Sequence, residues 1–128
     1  EVEDKENLQR DVIYIAPADY HVLIEKDNTL SLDHSEKVNY CRPSIDVTFE
    51  CAASVFGIRA LALLLSGGNH DGVAGLQQIK NSGGYVMVQD PASTPFSSMP
   101  QAAIDSILPD TVFNPAQVHH VVEIICAQ

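Results

Sequence analysis

The sequence is 128 residues long, enough for one domain with a real core and too short for two comfortable ones. Its composition, 45% hydrophobic and 19% charged, excludes a disordered or collagen-like chain. Seven Lys and Arg against 17 Asp and Glu leave a net charge of −10, which repels phosphate backbones and anionic lipid surfaces alike and argues against a nucleic-acid or membrane-surface binder.

The chain opens without Met on a polar, charged stretch, residues 1–10. Val12-Ile13-Tyr14-Ile15-Ala16, closed by Pro17, predicts a strand and a turn. Residues 21–25 and 29–32 flank Lys26-Asp27-Asn28 and predict a β-hairpin. Pro43 suits the first turn of a helix, where its missing N–H costs nothing. Ile45, Phe49, Ala52, Ala53 and Phe56 then share one face at helical period, with Gly57 as the stop.

Residues 59–65 form a nearly continuous apolar run of strand length, of the kind buried on both faces in a parallel sheet. The loop Ser66-Gly67-Gly68-Asn69-His70-Asp71-Gly72 leads into a helix carrying Val73, Leu76 and Ile79 on one side and ending at Gly83-Gly84. A strand over 85–89, a Pro- and Ser-rich loop to Pro100, a short helix over 101–107, a short strand over 111–113 and a closing helix from Asn114 or Pro115 complete the reading. Alternating strands and helices indicate an α/β fold: a three-layer, doubly wound, mostly parallel Rossmann-like sheet with a β-hairpin near its start. Because the first strand and hairpin follow no helix, residues 1–128 are expected to be the C-terminal two-thirds of a single domain that lacks its first βαβ portion here.

The longest apolar run, residues 60–65, is far short of the about 20 residues that cross a bilayer, and no signal segment opens the chain. Cys41, Cys51 and Cys126 are odd in number, widely spaced and free of any CxxC pair. This argues against a disulfide framework or zinc site and for a reducing, cytoplasmic setting.

Chemistry is best placed in the loop 66–72, which follows a buried strand and opens a helix. Two readings of Asp71 stand side by side. It could orient and stabilise a histidine in a hydrolytic triad, or it could be an ordinary N-cap of the helix that follows. Neither GxxxxGK[ST] nor GxGxxG occurs, so the loop carries no nucleotide signature and no cofactor is expected. No GxSxG turn is present, and Ser44 and Ser66 read as cap or loop residues. Cys41, just before Arg42, is a weak nucleophile candidate. The five histidines do not make a metal set: His21 starts a strand, His34 sits in a polar turn, His70 adjoins Asp71, and His119 and His120 point about 100° apart on a helix.

Several motifs then line up in order. Tyr14-Ile15-Ala16-Pro17-Ala18-Asp19-Tyr20-His21, Arg42-Pro43-Ser44-Ile45-Asp46-Val47-Thr48-Phe49 and Leu64-Leu65-Ser66-Gly67-Gly68-Asn69-His70-Asp71-Gly72-Val73-Ala74-Gly75 are followed by Gln89-Asp90-Pro91 and Met99-Pro100-Gln101-Ala102-Ala103-Ile104. From about Val12 onward the chain resembles the catalytic domain of the chemotaxis protein-glutamate methylesterases, the CheB family, and most closely its compact members without a receiver domain.

The resemblance implies a three-layer α/β hydrolase with a Ser-His-Asp triad, acting on methyl glutamyl esters of chemoreceptor cytoplasmic helices, with glutamine deamidation in some members. It puts the triad aspartate on Asp71 and the serine and histidine upstream of this sequence. Gly68 stands where the family often has Met, at a position whose backbone N–H is implicated in the oxyanion hole. Hydrolysis by a protein completed with its serine and histidine is therefore the first expectation, and residues 1–128 alone should not turn over. The alternative is a non-catalytic, degenerate member that docks signalling proteins. Self-association through an exposed sheet edge is a third possibility.

Overall fold

Two strands, β1 (His21–Ile24) and β2 (Leu30–Asp33), form the expected antiparallel hairpin, with His21 opposite Asp33 and Ile24 opposite Leu30. Asp27 and Asn28 make its turn: Asn28 takes φ +63°, and the Asp27 carboxylate accepts from the backbone and hydroxyl of Thr29. The computed structural model describes residues 1–67 and 69–126.

The polar opening of the chain is structured along β2. Lys5 N–H donates to Leu30 O, Leu30 N–H donates to Glu6 O, and Asn7 bridges Thr29. Val2 is buried with Val22 and Leu30, and Leu8 and Tyr14 pack against them. The strand expected over residues 12–16 does not form. Among the described residues no neighbouring strand pairs with it, and a single backbone bond, Val2 N–H to Ile15 O, holds it. Val12, Ile13 and Ile15 stay exposed as a result.

Helix α1 (Ile45–Phe56) has the expected face and stop: Gly57 (φ +53°) ends it with its N–H on Ala53 O. Pro43 lies outside the helix, ahead of the N-cap Ser44, rather than in its first turn. A 3-10 turn (Gly57–Arg59) follows, so strand β3 starts only at Leu61 (Leu61–Leu64). Helix α2 (Val73–Asn81), β4 (Tyr85–Gln89), α3 (Ser98–Ser106), β5 (Thr111–Phe113) and α4 (Val118–Cys126) complete the chain.

The three later strands form a parallel sheet in the order β3-β4-β5, with Leu61 opposite Tyr85 and Met87 opposite Thr111. Within residues 1–128, β4 has a strand on either side and is buried on both faces, while β3 is flanked by β4 alone. Ala62 and Leu64 of β3 are buried while Leu61 and Leu63 are half-buried. The main core joins Ala62, Leu64, Val86 and Val88 from one sheet face to Leu76 and Ile79 of α2, Ala53 of α1 and Ala103 of α3. Met87 and Phe113 are buried on the opposite face. The α/β class with a parallel sheet and a separate hairpin is as expected.

Helices α1 and α2 touch closely at one point. A side chain at Gly75 would put its Cβ 2.6 Å from Phe49 Cβ and 3.0 Å from Asp46 Cα, so only glycine admits this approach. No helix among the described residues is long and apolar enough to cross a membrane.

Candidate active site

The loop after β3 leaves the sheet at its carboxyl end, and neighbouring elements hold its first residues. Ser66 N–H donates to Oε1 of the buried Gln89 (2.8 Å), Gly67 N–H to Phe96 O (3.0 Å), and Met99 N–H to Gly67 O (3.0 Å). Further along, Asn69 Oδ1 accepts from Asp71 N–H at 2.8 Å. Gly72 then takes φ +103° as the N-cap of α2, and a Cβ there would lie 2.7 Å from Leu64 Cδ1. Both facts require glycine.

Asp71 is only 2% exposed, and its carboxylate is aimed at the start of α1 rather than at its own helix. Oδ1 accepts from Ser44 Oγ (2.7 Å), from Asn39 Nδ2 (3.1 Å) and, at 3.4 Å, from Asp46 N–H. Oδ2 accepts from Ile45 N–H at 2.6 Å. The N-cap reading was thus half right in kind and wrong in place: Asp71 caps a helix, but it caps α1. Among the described residues Oδ2 has one donor where Oδ1 has three, so a lone pair on Oδ2 stays available to a further N–H.

Asp46, on α1, returns the favour to α2. Its Oδ1 accepts from Gly72 N–H (3.0 Å) and Gly75 N–H (2.7 Å), while Oδ2 accepts from Asn39 Nδ2 (2.7 Å). Each helix N-terminus therefore receives a carboxylate from the other helix's segment, where orphan N–H groups and the helix dipole favour negative charge. Asn39 joins the two acids with both protons of one amide nitrogen. Because both partners are acceptors, the network itself determines which way the amide points.

His21, 1% exposed at the start of β1, adjoins the same cluster. Its Nδ1 accepts from Ser44 N–H at 3.1 Å, so the ring proton sits on Nε2 and is donated to Glu36 O at 2.8 Å. This defines the Nε2–H tautomer. His21 and Ser44 do not form a nucleophile–base pair, because the imidazole meets the serine's backbone and not its hydroxyl.

The rim beside this cluster is the segment 34–42, which borders an open depression of about 610 Å³ lined in part by His34, Lys37, Asn39, Tyr40 and Arg42. Asn39 and Tyr40 both take left-handed backbone conformations, φ +53° and +64°. Arg42 holds the segment: its Nε and Nη2 donate to Asp19 Oδ1 at 3.0 and 2.6 Å, and Nη1 donates to Ser35 O. Those guanidinium hydrogen bonds keep the Asp19 carboxyl below its ordinary 3.8, against a smaller opposing effect of desolvation. A carboxylate whose pKa is depressed on folding contributes stability above the unfolded value and loses it as the pH falls through the folded one. NMR titration of the Asp19 carboxyl carbon should thus give a midpoint below 3.8, and Arg42→Gln should return it towards that value.

Cys41 lies half-buried between Asn39 and Asn69, its thiol donating to Asn39 O (3.3 Å) and accepting from Asn69 Nδ2 (3.2 Å). Among the described residues no group of three or more His, Cys, Asp or Glu is placed to hold a metal ion.

The CheB methylesterase family model matches residues 1–122. The chain belongs to this family. A Leptospira interrogans relative, provisionally named a protein-glutamate methylesterase/protein-glutamine glutaminase, is 44% identical over 114 residues, covering 89% of this chain and 59% of that protein. The protein-glutamate methylesterase/protein-glutamine glutaminase of Maricaulis maris is 36% identical over 121 residues, 92% of this chain and 30% of that protein. The crystal structure of the Thermotoga maritima CheB methylesterase catalytic domain superposes with a TM-score of 0.89 at 30% identity, covering 97% of this chain and 68% of that one. The chain thus spans 59% and 30% of the length of the Leptospira and Maricaulis relatives.

Of the two CheB site residues expected from sequence, Asp71 lies at the centre of the buried cluster, and Gly68 lies outside the described residues. Ser44, Asp46, Asn39 and His21 were not expected there. A signal for three of them existed: Ser44 and Asp46 fall within the Arg42–Phe49 motif, and His21 closes the Tyr14–His21 motif.

Proposed function

We propose that this chain supplies the aspartate of a protein-glutamate methylesterase, as the C-terminal part of a single catalytic domain whose serine and histidine come from sequence outside residues 1–128. The observation that carries the reading is the Asp71 carboxylate at the carboxyl end of β3: held by three donors on Oδ1, it takes a single donor, Ile45 N–H, on Oδ2. Membership of the CheB family and the greater length of the relatives support it.

In this mechanism Asp71 Oδ2 accepts the N–H of the catalytic imidazole, holds its tautomer and stabilises it once protonated. The imidazole takes the serine proton as the hydroxyl attacks the glutamyl ester carbonyl, and methanol leaves. Water then releases the glutamate carboxylate from the acyl-enzyme. With a glutamine side chain the leaving group is ammonia. The family resemblance assigns an oxyanion donor to the backbone at Gly68, which lies outside the described residues. The substrates are methylated glutamates on cytoplasmic helices of chemoreceptors, and the chemistry needs no metal or cofactor.

Methanol release from a methylated receptor segment, measured with the full-length protein, tests this. Release that is blocked by a serine-directed phosphonate is expected. No release, with receptor binding retained, would replace the enzyme with a non-catalytic docking module.

A further inference from the structure

Ser44 is the N-cap of α1, yet its hydroxyl makes no bond to its own helix. An N-cap serine ordinarily turns its oxygen back onto the second or third helical N–H. Here the Oγ–H donates away, to Asp71 Oδ1 at 2.7 Å, and the N–H of the same residue donates to His21 Nδ1 at 3.1 Å. The far side of the His21 ring is tied to Glu36 O. His21, Ser44 and Asp71 are each 2% exposed or less, so the bonds that link them are shielded from competing water.

We propose that His21 and Ser44 are positioning residues for Asp71: the His21 imidazole fixes the Ser44 backbone, and the Ser44 hydroxyl fixes the rotation of the Asp71 carboxylate so that Oδ2 presents its open lone pair to the catalytic imidazole. The inference rests on the triad role of Asp71 proposed above. Its physical basis is that a carboxylate turns about one soft torsion, and Ile45 N–H on Oδ2 leaves that torsion loosely defined unless Oδ1 is also held. Ser44 Oγ makes the shortest of the bonds that hold it. A misaligned orienting group costs turnover without weakening substrate binding.

The test uses the full-length protein with four variants, reading kcat, KM and Tm. Ser44→Ala removes the hydroxyl donor. His21→Asn keeps an acceptor where Nδ1 stood, whereas His21→Gln keeps a polar group near Nε2 and loses that acceptor. Asp71→Asn is measured alongside. Ser44→Ala and His21→Gln should lower kcat about 10–100-fold with KM nearly unchanged, and His21→Asn should retain most of the wild-type kcat. If Asp71→Asn abolishes turnover while Ser44→Ala does not change it, the positioning role is wrong. Equal losses in the two His21 variants, in proportion to their Tm, would mean the histidine is only a packing group. Full turnover in Asp71→Asn would overturn the triad reading and this inference together.

Discussion

Asp71→Asn should lower kcat for ester hydrolysis by about 10³–10⁴-fold in a full-length protein that carries this chain, as loss of the orienting carboxylate does in other triads. The structure adds a second consequence. Asp71 accepts through both oxygens, and an amide has only one acceptor oxygen. If the Asn oxygen takes the Oδ1 position, its NH₂ meets Ile45 N–H, donor against donor. If it takes the Oδ2 position, the NH₂ meets Ser44 and Asn39. The variant should therefore also lose about 1–3 kcal/mol of stability. Urea denaturation beside the kinetic assay separates the two effects, since activity should stay low at temperatures where the variant is fully folded. Near-normal turnover would remove Asp71 from the mechanism.

The largest stability effect is expected at Asp46, which is 5% exposed. Replacing it with Ala strands the N–H groups of Gly72 and Gly75 at the buried start of α2 and releases Asn39 from one of its two acceptors. Hydrogen bonds to a charged acceptor contribute about 1.5–3 kcal/mol each and do not simply add, so the loss should be about 3–5 kcal/mol. Asp46→Asn is not a neutral replacement. Its amide could still accept from Gly72 and Gly75 but would present N–H to the Asn39 amide nitrogen. Turning the Asn39 amide over would set its oxygen against Asp71 Oδ1 instead. An intermediate loss is expected, and a change below about 1 kcal/mol for Asp46→Ala would show that the helix pair does not depend on this exchange.

These variants act on one design. Two acidic residues 25 positions apart each occupy the helix start of the other's segment. The glycines at 72 and 75 let the backbones approach closely enough for the exchange. The orienting role proposed for Asp71 requires an acid fixed before the transition state forms, and a carboxylate bonded to backbone amides of a packed helix meets that need.

Much of the fold was legible because it depends on local rules. The hairpin, the α1 face from Ile45 to Phe56, the stop at Gly57 and the strand at 85–89 follow from periodicity and turn chemistry acting within a few residues. The strand expected at 12–16 failed for the opposite reason, since a β-rich run becomes a strand only beside a partner.

The site divides in the same way. By itself the sequence determined the acidic, α/β character of the chain, the family resemblance and Asp71 as the residue of interest, all carried by composition and short motifs. Only the tertiary structure decided what Asp71 touches. Ser44 and Asn39 lie 27 and 32 positions away, and His21 reaches it through Ser44. Hydrogen bonds over such separations leave no periodic trace, because they depend on where two helices and a hairpin come to rest against one another.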